Sequence, residues 1–287
     1  MISAQIVLDS VSPAGVRLTT MQLRYPKFIH GEMMTHRVFN RSASSSRAVP
    51  VARNLAEVRS DELRASPVWW GREQRGMASG EELDDAGLHV ARAYWRMAAL
   101  AAADRAEEMA AHELHKSIVN RVLEPFLHIN VVVTATEWDN FFGLRLDRGA
   151  QPEMRVLAEA MWEAMSISLP TPLVLGEWHL PFLGQEDLDQ FEDLITAAKV
   201  SVARCARVSY LSHETGKRST IAEDLALYDR LVGASPMHAS PAEHQATPDV
   251  FNGSWQEPLK HGNLRGWVQY RKLLPGEDRA PLPEEYR

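Results

Sequence analysis

Two stretches near the start of the chain alternate apolar and polar residues. Ile2 to Leu8 and Val16 to Leu23 (VRLTTMQL) repeat with the period of a half-buried β-strand. INVVVTAT, from Ile129, is β-branched almost throughout and predicts a further strand, although such a run can also be drawn into a helix by its surroundings. Elsewhere the period is helical. KFIHGEMMTHR (Lys27 to Arg37) reads as a short helix that delivers His36 and Arg37 to its C-terminal end. NLAEVRSDELRAS predicts a second helix. Ser79 to Glu113, rich in Ala, Glu and Arg and free of proline, predicts a long one. HKSIVNRVLEP is a helix stopped by Pro125. PEMRVLAEAMWEAM sets Met154, Leu157, Met161 and Met165 on one helical face, which is read as core. Helices are also expected near Glu186 to Ala198 and Ile221 to Val232. Ser66 to Met77 is a glycine-punctuated loop holding Trp69 and Trp70, and the last 40 residues, rich in Pro, Gly and Trp, read as irregular. Strands mixed with helices, and no linker, predict one α+β domain.

Composition narrows the partners. The 287 residues can bury a substantial core, and 45% apolar with 24% charged residues is ordinary for a globular protein. No apolar run reaches the roughly 18 to 20 residues that span a bilayer. The first residues lack a signal peptide's basic region and apolar core. Cys205 is the single cysteine, so an internal disulfide and a cysteine-based zinc cluster are excluded, and a cytoplasmic location is expected. A net charge of −7 argues against duplex nucleic acid as a partner. A local basic patch then calls for a small anion.

Such a patch exists in THRVFNRSASSSRAVP (Thr35 to Pro50). No acidic residue occurs between Glu32 and Glu57, yet Arg37, Arg41, Arg47 and Arg53 all fall there. Small hydroxyl residues let a backbone approach a ligand closely, and arginine offers a planar fork to phosphate oxygens. A phosphate cradle, a plain loop and a protein-contact surface are the readings this chemistry leaves open.

This stretch resembles the signature of the flavin-dependent thymidylate synthases, the ThyX family: Arg-His-Arg, then spaced Ser, Asn-Glu, Ser and Arg-Tyr. His36, Arg37, Ser45 and Arg47 fall in register. Thr35, Asn40, Ser42, Ala43 and Ala48 depart from it. NFFGLRLDRGAQPEMRVLAEAM resembles the family's later signature through Asn140, Arg145, Asp147, Ala150, Gln151 and Glu153. Gly149 stands where a histidine is usual, and Thr134 and Thr136 stand where an Asn and an Arg are common. A third set, SVARCARVSYLS (Ser201 to Ser212), AEDLALYDRLV and MHASPAEHQATP (Met237 to Pro248), resembles the family's opening section, but here it lies near the C-terminus. The resemblance therefore implies a circularly permuted member with a ThyX-like mixed sheet packed with long helices. Residues 1–287 would form one domain: a motif-bearing core over 1–200, the displaced opening section over 201–250 and an irregular tail over 251–287. His238, Ser240 and the strand after His244 would have to lie beside Val16 to Leu23.

The resemblance implies a function as well. Family members use FAD to move a one-carbon unit from methylenetetrahydrofolate to C5 of a pyrimidine deoxynucleotide monophosphate, dUMP, with NADPH as reductant. They are typically homotetramers with shared sites, and the reduced flavin carries the chemistry without a protein nucleophile. Position by position, Ser45, Ser46, Arg47 and Arg121 would hold the nucleotide phosphate. Arg145 would be catalytic, reaching the base and stabilising charge that develops on it. His36, Arg37, Asn140, His238 and Ser240 would hold FAD.

Plainer roles stand beside these. His238 and His244 could be ordinary surface histidines, Arg145 a salt-bridge partner of Asp147, and Asn140 a helix cap. Cys205 reads as core, Trp69 and Trp70 as either core or a stacking platform. His112, Glu113 and His115 lack a closing ligand set, so no metal is expected. Arg265, Arg271 and Lys272 would cover a phosphate or solvate a strand. The departures at Ala43, Gly149, Thr134 and Thr136 keep two alternatives open: a flavin-dependent hydroxymethylase acting on dUMP or dCMP, and a nucleotide- or flavin-binding protein without catalysis.

Overall fold

A computed structural model describes residues 1–210 and 219–280. The chain starts with β1 (Ser3–Val11) and β2 (Arg17–Pro26), an antiparallel hairpin. Its turn closes on Gly15, whose φ of 78° is costly for any residue with a Cβ. A short 3₁₀ turn, Lys27–Ile29, leads into α1 (His30–Met33), and the chain then enters β3 (Asn40–Ala43). Helices α2 (Val51–Arg59), α3 (Asp85–Ala111) and α4 (Lys116–Val119) follow, then the 3₁₀ segment Asn120–Phe126 and β4 (His128–Ala135). Next come α5 (Asp139–Arg145), α6 (Pro152–Ile167) and β5 (Thr171–Pro172). The chain continues through α7 (Gln185–Leu188), α8 (Leu194–Ala206) and α9 (Ile221–Leu231). A 3₁₀ turn, Ser240–Glu243, precedes β6 (Ala246–Pro248) and β7 (Trp267–Gln269).

The five-stranded sheet runs β3-β4-β2-β1-β5, with only the two-residue β5 parallel to its neighbour. One face is dry. Met21, Leu23 and Tyr25 of β2 and Ile129, Val131 and Val133 of β4 pack against Met154, Leu157, Ala158 and Met161 of α6. The helical spacing read from the sequence is the face that buries: Met154, Leu157 and Met161 are fully inaccessible, and Met165 packs at the margin. Pro152 sits at the first turn of α6, where its missing N–H costs nothing. β4 is buried on both faces, which explains its near-continuous apolar run. Beyond one edge, α2, α3 and Asn120–Phe126 make a second cluster in which Ala99, Ala103 and Ala106 let the long helix approach closely. Asp84 caps α3 by accepting from the Gly87 amide at 2.8 Å.

The opposite face carries the C-terminal part of the chain. A β-bulge between Ile6 and Leu8 reverses the inward side of β1 halfway along it. Ala4 and Ile6 join the dry core, while Leu8 and Ser10 turn to the other face, opposite Thr20 and Leu18. Residues 178–183, α8, α9 and Tyr270 form the cluster beyond it.

Several expectations need amending. The single helix expected near Glu186 to Ala198 is two helices, broken after Leu188, and the second runs on to Ala206. HKSIVNRVLEP is only four α-helical residues followed by a 3₁₀ segment that contains Pro125. β6 does not pair with β2, whose two edges are taken by β1 and β4. It hydrogen-bonds β7 and His179 and reaches β2 face-on, where Ala246 packs with Leu18. Leu211 and Ser212 of the Ser201–Ser212 window, and residues 281–287 of the tail, lie outside the described residues. Among the described residues, no helix is long and apolar enough to cross a membrane.

Candidate active site

α1 ends at Met33, and a tight turn (Thr35 amide to Glu32 carbonyl, 3.0 Å) presents His36 at the entrance to β3. His36 is buried between Phe39, at a centroid distance of 5.8 Å, and the edge of Phe141, at 4.9 Å. Arg145, at the end of α5, donates from Nε to His36 Nε2 at 2.9 Å and lies 3.4 Å from the Thr35 hydroxyl. A guanidinium only donates, so His36 must be neutral with its proton on Nδ1. Its pKa agrees: burial first, then the positive charges of Arg145 and Arg41, lower it to about 4. Arg41 ties the turn from below, donating to the carbonyls of Met33 and His36 at 2.9 Å each. Arg145 is therefore not the partner of Asp147, which instead accepts from the Gly149 amide.

Ser45, Ser46 and Arg47 lie at the other end of β3, about 10 to 13 Å along a four-residue strand. Ser46 turns inward and donates to Glu124 at 2.7 Å, while Glu124 also takes Lys27 at 2.7 Å and Arg121 at 3.4 Å. Asn120 clamps the Ser46 and Val49 carbonyls from within. The loop is thus fixed from behind. Arg47 is exposed and has no ion-pair partner among the described residues, and Ser45 Oγ accepts from the Arg47 amide.

The Ser240–Glu243 turn covers the outer side of β3. Asn40 donates to the Glu243 carbonyl at 3.1 Å, and Ser42 lies 2.9 Å from His244 Nε2. His238 and Ser240 are exposed on this turn, and Asn140 is exposed on α5. Asn140 is no cap: that position belongs to Trp138 and has no side-chain bond. His244 is wholly buried rather than on the surface. Cys205 is buried in α8, where burial pushes its thiol up and makes it a poor nucleophile.

So the structure joins His36, Arg145 and Thr35 directly and sets Asn140 on the same helix as Arg145. Ser45 to Arg47 and Arg121 stand apart, at the far end of β3. Arg271 and Lys272 are committed to Glu243 and Glu277, which leaves no phosphate role for them. Trp69 and Trp70 begin a closed hairpin: Leu83 donates to the Trp70 carbonyl, and Trp69 Nε1 to Gly80. A Cβ at Gly71 would come within 2.6 Å of the Ser79 Cβ, so only glycine closes it. With Phe28, Gly149 and Gln151 the two tryptophans line a cavity of about 500 Å³. Among the described residues, no cluster of three or more His, Cys, Asp or Glu is placed to hold a metal ion.

Residues 10–171, more than half of the chain, match the family described as thymidylate synthase complementing protein. The protein belongs to that family. Among solved structures, the chain is similar to a UMP/dUMP methylase, PolB, from Streptomyces cacaoi bound with 5-Br UMP. The two share 17% identity over 58% of this chain and 89% of that one, with a TM-score of 0.47. It is also similar to thymidylate synthase X from Helicobacter pylori with FAD and dUMP, at 18% identity over 52% and 67% of the two chains and a TM-score of 0.35. No curated protein matches by sequence. Membership rests on the family match, and the mixed sheet with long helices agrees with it.

The residues suit an anionic flavin nucleotide. Arg37 is exposed without an ion-pair partner among the described residues, and Thr136 Oγ1, just before α5, is buried with none of its hydrogen bonds made. An orphaned hydroxyl of this kind is costly unless something satisfies it.

Proposed function

We propose that the protein transfers a one-carbon unit to C5 of a pyrimidine deoxynucleotide, dUMP in the first instance, with FAD as cofactor and methylenetetrahydrofolate and NADPH as co-substrates. The observation that carries the reading is the meeting of two distant signature stretches, Arg145 Nε on His36 Nε2 at 2.9 Å, in a chain of this family. Bound FAD would supply the redox chemistry for delivering the carbon. His36, Arg37, Asn140, His238 and Ser240 are the residues proposed to hold it, and neutral His36 also positions Arg145. Arg145 would face the base and stabilise negative charge that develops there. Ser45, Arg47 and the backbone at Ser46 would take the phosphate, with Arg121 beside them.

The chain is further proposed to be a circular permutant forming one domain: Asn40, Ser42 and Thr134 of the signature region bond Glu243 and His244, more than 100 residues further along the chain. A homotetramer with shared sites and a cytoplasmic location complete the proposal, the latter supported by the single buried cysteine.

A hydroxymethylated product is the second reading. Gly149, which stands where the family usually has a histidine, adds no side chain to the wall of the 500 Å³ cavity and leaves room there for water. The test is flavin absorbance of the purified protein, followed by mass analysis of products from dUMP and dCMP. A mass gain matching a methyl group supports the first reading, and one matching a hydroxymethyl group supports the second. A flavin-free protein that turns over neither nucleotide overturns both.

A further inference from the structure

Six side chains form an unbroken hydrogen-bonded line across the polar face of the sheet. Ser42 Oγ meets His244 Nε2 at 2.9 Å, and His244 Nδ1 meets Thr134 Oγ1 at 2.8 Å. Thr134 meets Thr20 at 2.7 Å, its cross-strand partner in the β2–β4 pairing. Thr20 meets His179 Nε2 at 2.8 Å, and His179 Nδ1 meets Ser10 at 2.9 Å. All but Ser42 are buried, four of them completely. The β-bulge in β1 is what brings Ser10 to this face. The line ends in two different places. Ser10 borders a cavity of about 620 Å³ between β5, α7 and α8, whereas Ser42 lies in the signature strand beneath the His238–His244 segment.

Counting protons constrains the line strongly. Both imidazoles are neutral, since burial lowers each pKa to about 3. Each neutral ring has one donor and one acceptor, and each hydroxyl has one proton. If His244 donates to Thr134, then Ser42 must donate to His244 and Thr134 to Thr20. Thr20 must then donate to His179, and His179 to Ser10. Reversing any one bond alone gives a ring two protons or none, or leaves a buried hydroxyl proton without a partner, so the alternative is to reverse them all. Two arrangements satisfy every group. In one, both histidines carry the proton on Nδ1; in the other, both carry it on Nε2.

We propose that these six side chains act as one two-state proton relay between the cavity at Ser10 and the signature strand at Ser42. Start with both rings protonated on Nε2. A proton from cavity water bonds to Ser10 Oγ, and the former Ser10 proton moves to His179 Nδ1. The Nε2 proton of His179 passes to Thr20, that of Thr20 to Thr134, and that of Thr134 to His244 Nδ1. The Nε2 proton of His244 passes to Ser42, whose own proton leaves. One proton enters, one leaves, no charge stays behind, and both rings have changed tautomer. The next transfer runs in the opposite direction, with Ser42 as the acceptor. Replacing the C5 hydrogen of a pyrimidine with carbon releases a proton, which gives the relay a donor if the function proposed above is right; the two-state line itself does not depend on that reading.

The experiment is nitrogen-15 NMR of the histidine rings near neutral pH in the full chain and in two end variants. In the unaltered protein both rings should carry the same tautomer. Ser42→Ala leaves His244 Nε2 without a partner. An orphaned acceptor is tolerated better than an orphaned N–H, so both rings should settle as Nδ1–H, including His179, which Ser42 does not touch. Ser10→Ala should drive both rings to Nε2–H, including the distant His244. With Thr20→Val added, the line is cut and Ser10→Ala should no longer change the tautomer of His244. Opposite tautomers in the unaltered protein, a charged ring, His179 protonated on Nε2 in Ser42→Ala, or His244 protonated on Nδ1 in Ser10→Ala would overturn the relay. These readouts need neither flavin nor nucleotide, so failure of the proposed reaction would leave them standing. The unaltered protein also tests the pairing if either variant fails to fold.

Discussion

The two faces of the central sheet solve different problems with the same strands. On one, Met21, Leu23, Val131 and Val133 meet α6 with no polar group to satisfy. On the other, Thr20 and Thr134 from the same two strands enter a line of hydroxyls and imidazoles in which both nitrogens of each ring have a partner. The first face tolerates any well-packed apolar set and supplies stability. The second needs particular donors and acceptors, because each buried polar group it loses strands another. Apolar burial thus holds the sheet together, and the polar face carries the groups that can respond to a proton or a ligand. The signature strand β3 stands at the edge between them, with Ala43 packed on the dry core and Ser42 in the polar line.

The largest loss of stability is expected on the dry face. Leu157→Ala should cost about 2 to 5 kcal/mol of stability, through lost transfer energy and the cavity left behind, as measured by urea unfolding. A cost near zero would mean that α6 is not the wall of the core.

Acid should act on the polar face instead. His179 and His244 are held neutral, with pKa values lowered to about 3 by burial against an ordinary value near 6.5. Between these values the unfolded chain binds the protons and the folded chain does not. Stability should therefore be complete above about pH 6.5 and fall as the pH drops toward 3, by about 2 kcal/mol per histidine at pH 5. Urea midpoints measured from pH 7 to pH 5 test this, and a double His179→Gln, His244→Gln variant should show a flatter profile. An unchanged slope would place the acid sensitivity elsewhere.

Arg47→Ala should spare both faces and weaken the nucleotide. A charge-assisted phosphate contact contributes roughly 1.5 to 3 kcal/mol, about ten- to a hundred-fold in affinity. Calorimetric titration with dUMP reads the loss, and wild-type affinity would remove Ser45 to Arg47 from the proposed phosphate site. Arg37→Ala should change least in the fold. Its side chain is exposed, so the unfolding midpoint should stay within the error of measurement while flavin occupancy falls. Full flavin absorbance in that variant would assign Arg37 another role.

Strands, helices and the two signature stretches were legible because each is local. Alternation marks β1 and β2, the 3.6-residue period marks the buried face of α6, and the run of serines and arginines marks the loop after β3. The helix expected at Glu186 to Ala198 was misread because Asp193 starts a new helix inside it, its carboxylate accepting from the Thr196 amide at 2.8 Å. The Trp69–Trp70 hairpin was visible only as two large side chains in a loop.

What the sequence by itself determined was the family, the dry core and the chemical character of the motif loop, since these follow from residue type and short-range spacing. The tertiary structure alone decided which distant groups meet. Arg145 reaches His36 only because α5 ends beside the α1 turn. Thr20 faces Thr134 only in this β2–β4 register. Ser10 joins them only because one extra residue in β1 turns the strand over. Hydrogen bonds act across about 3 Å of space, whatever the separation along the chain. A pattern of one-dimensional spacing has no access to register or bulge, and those set which donors find which acceptors.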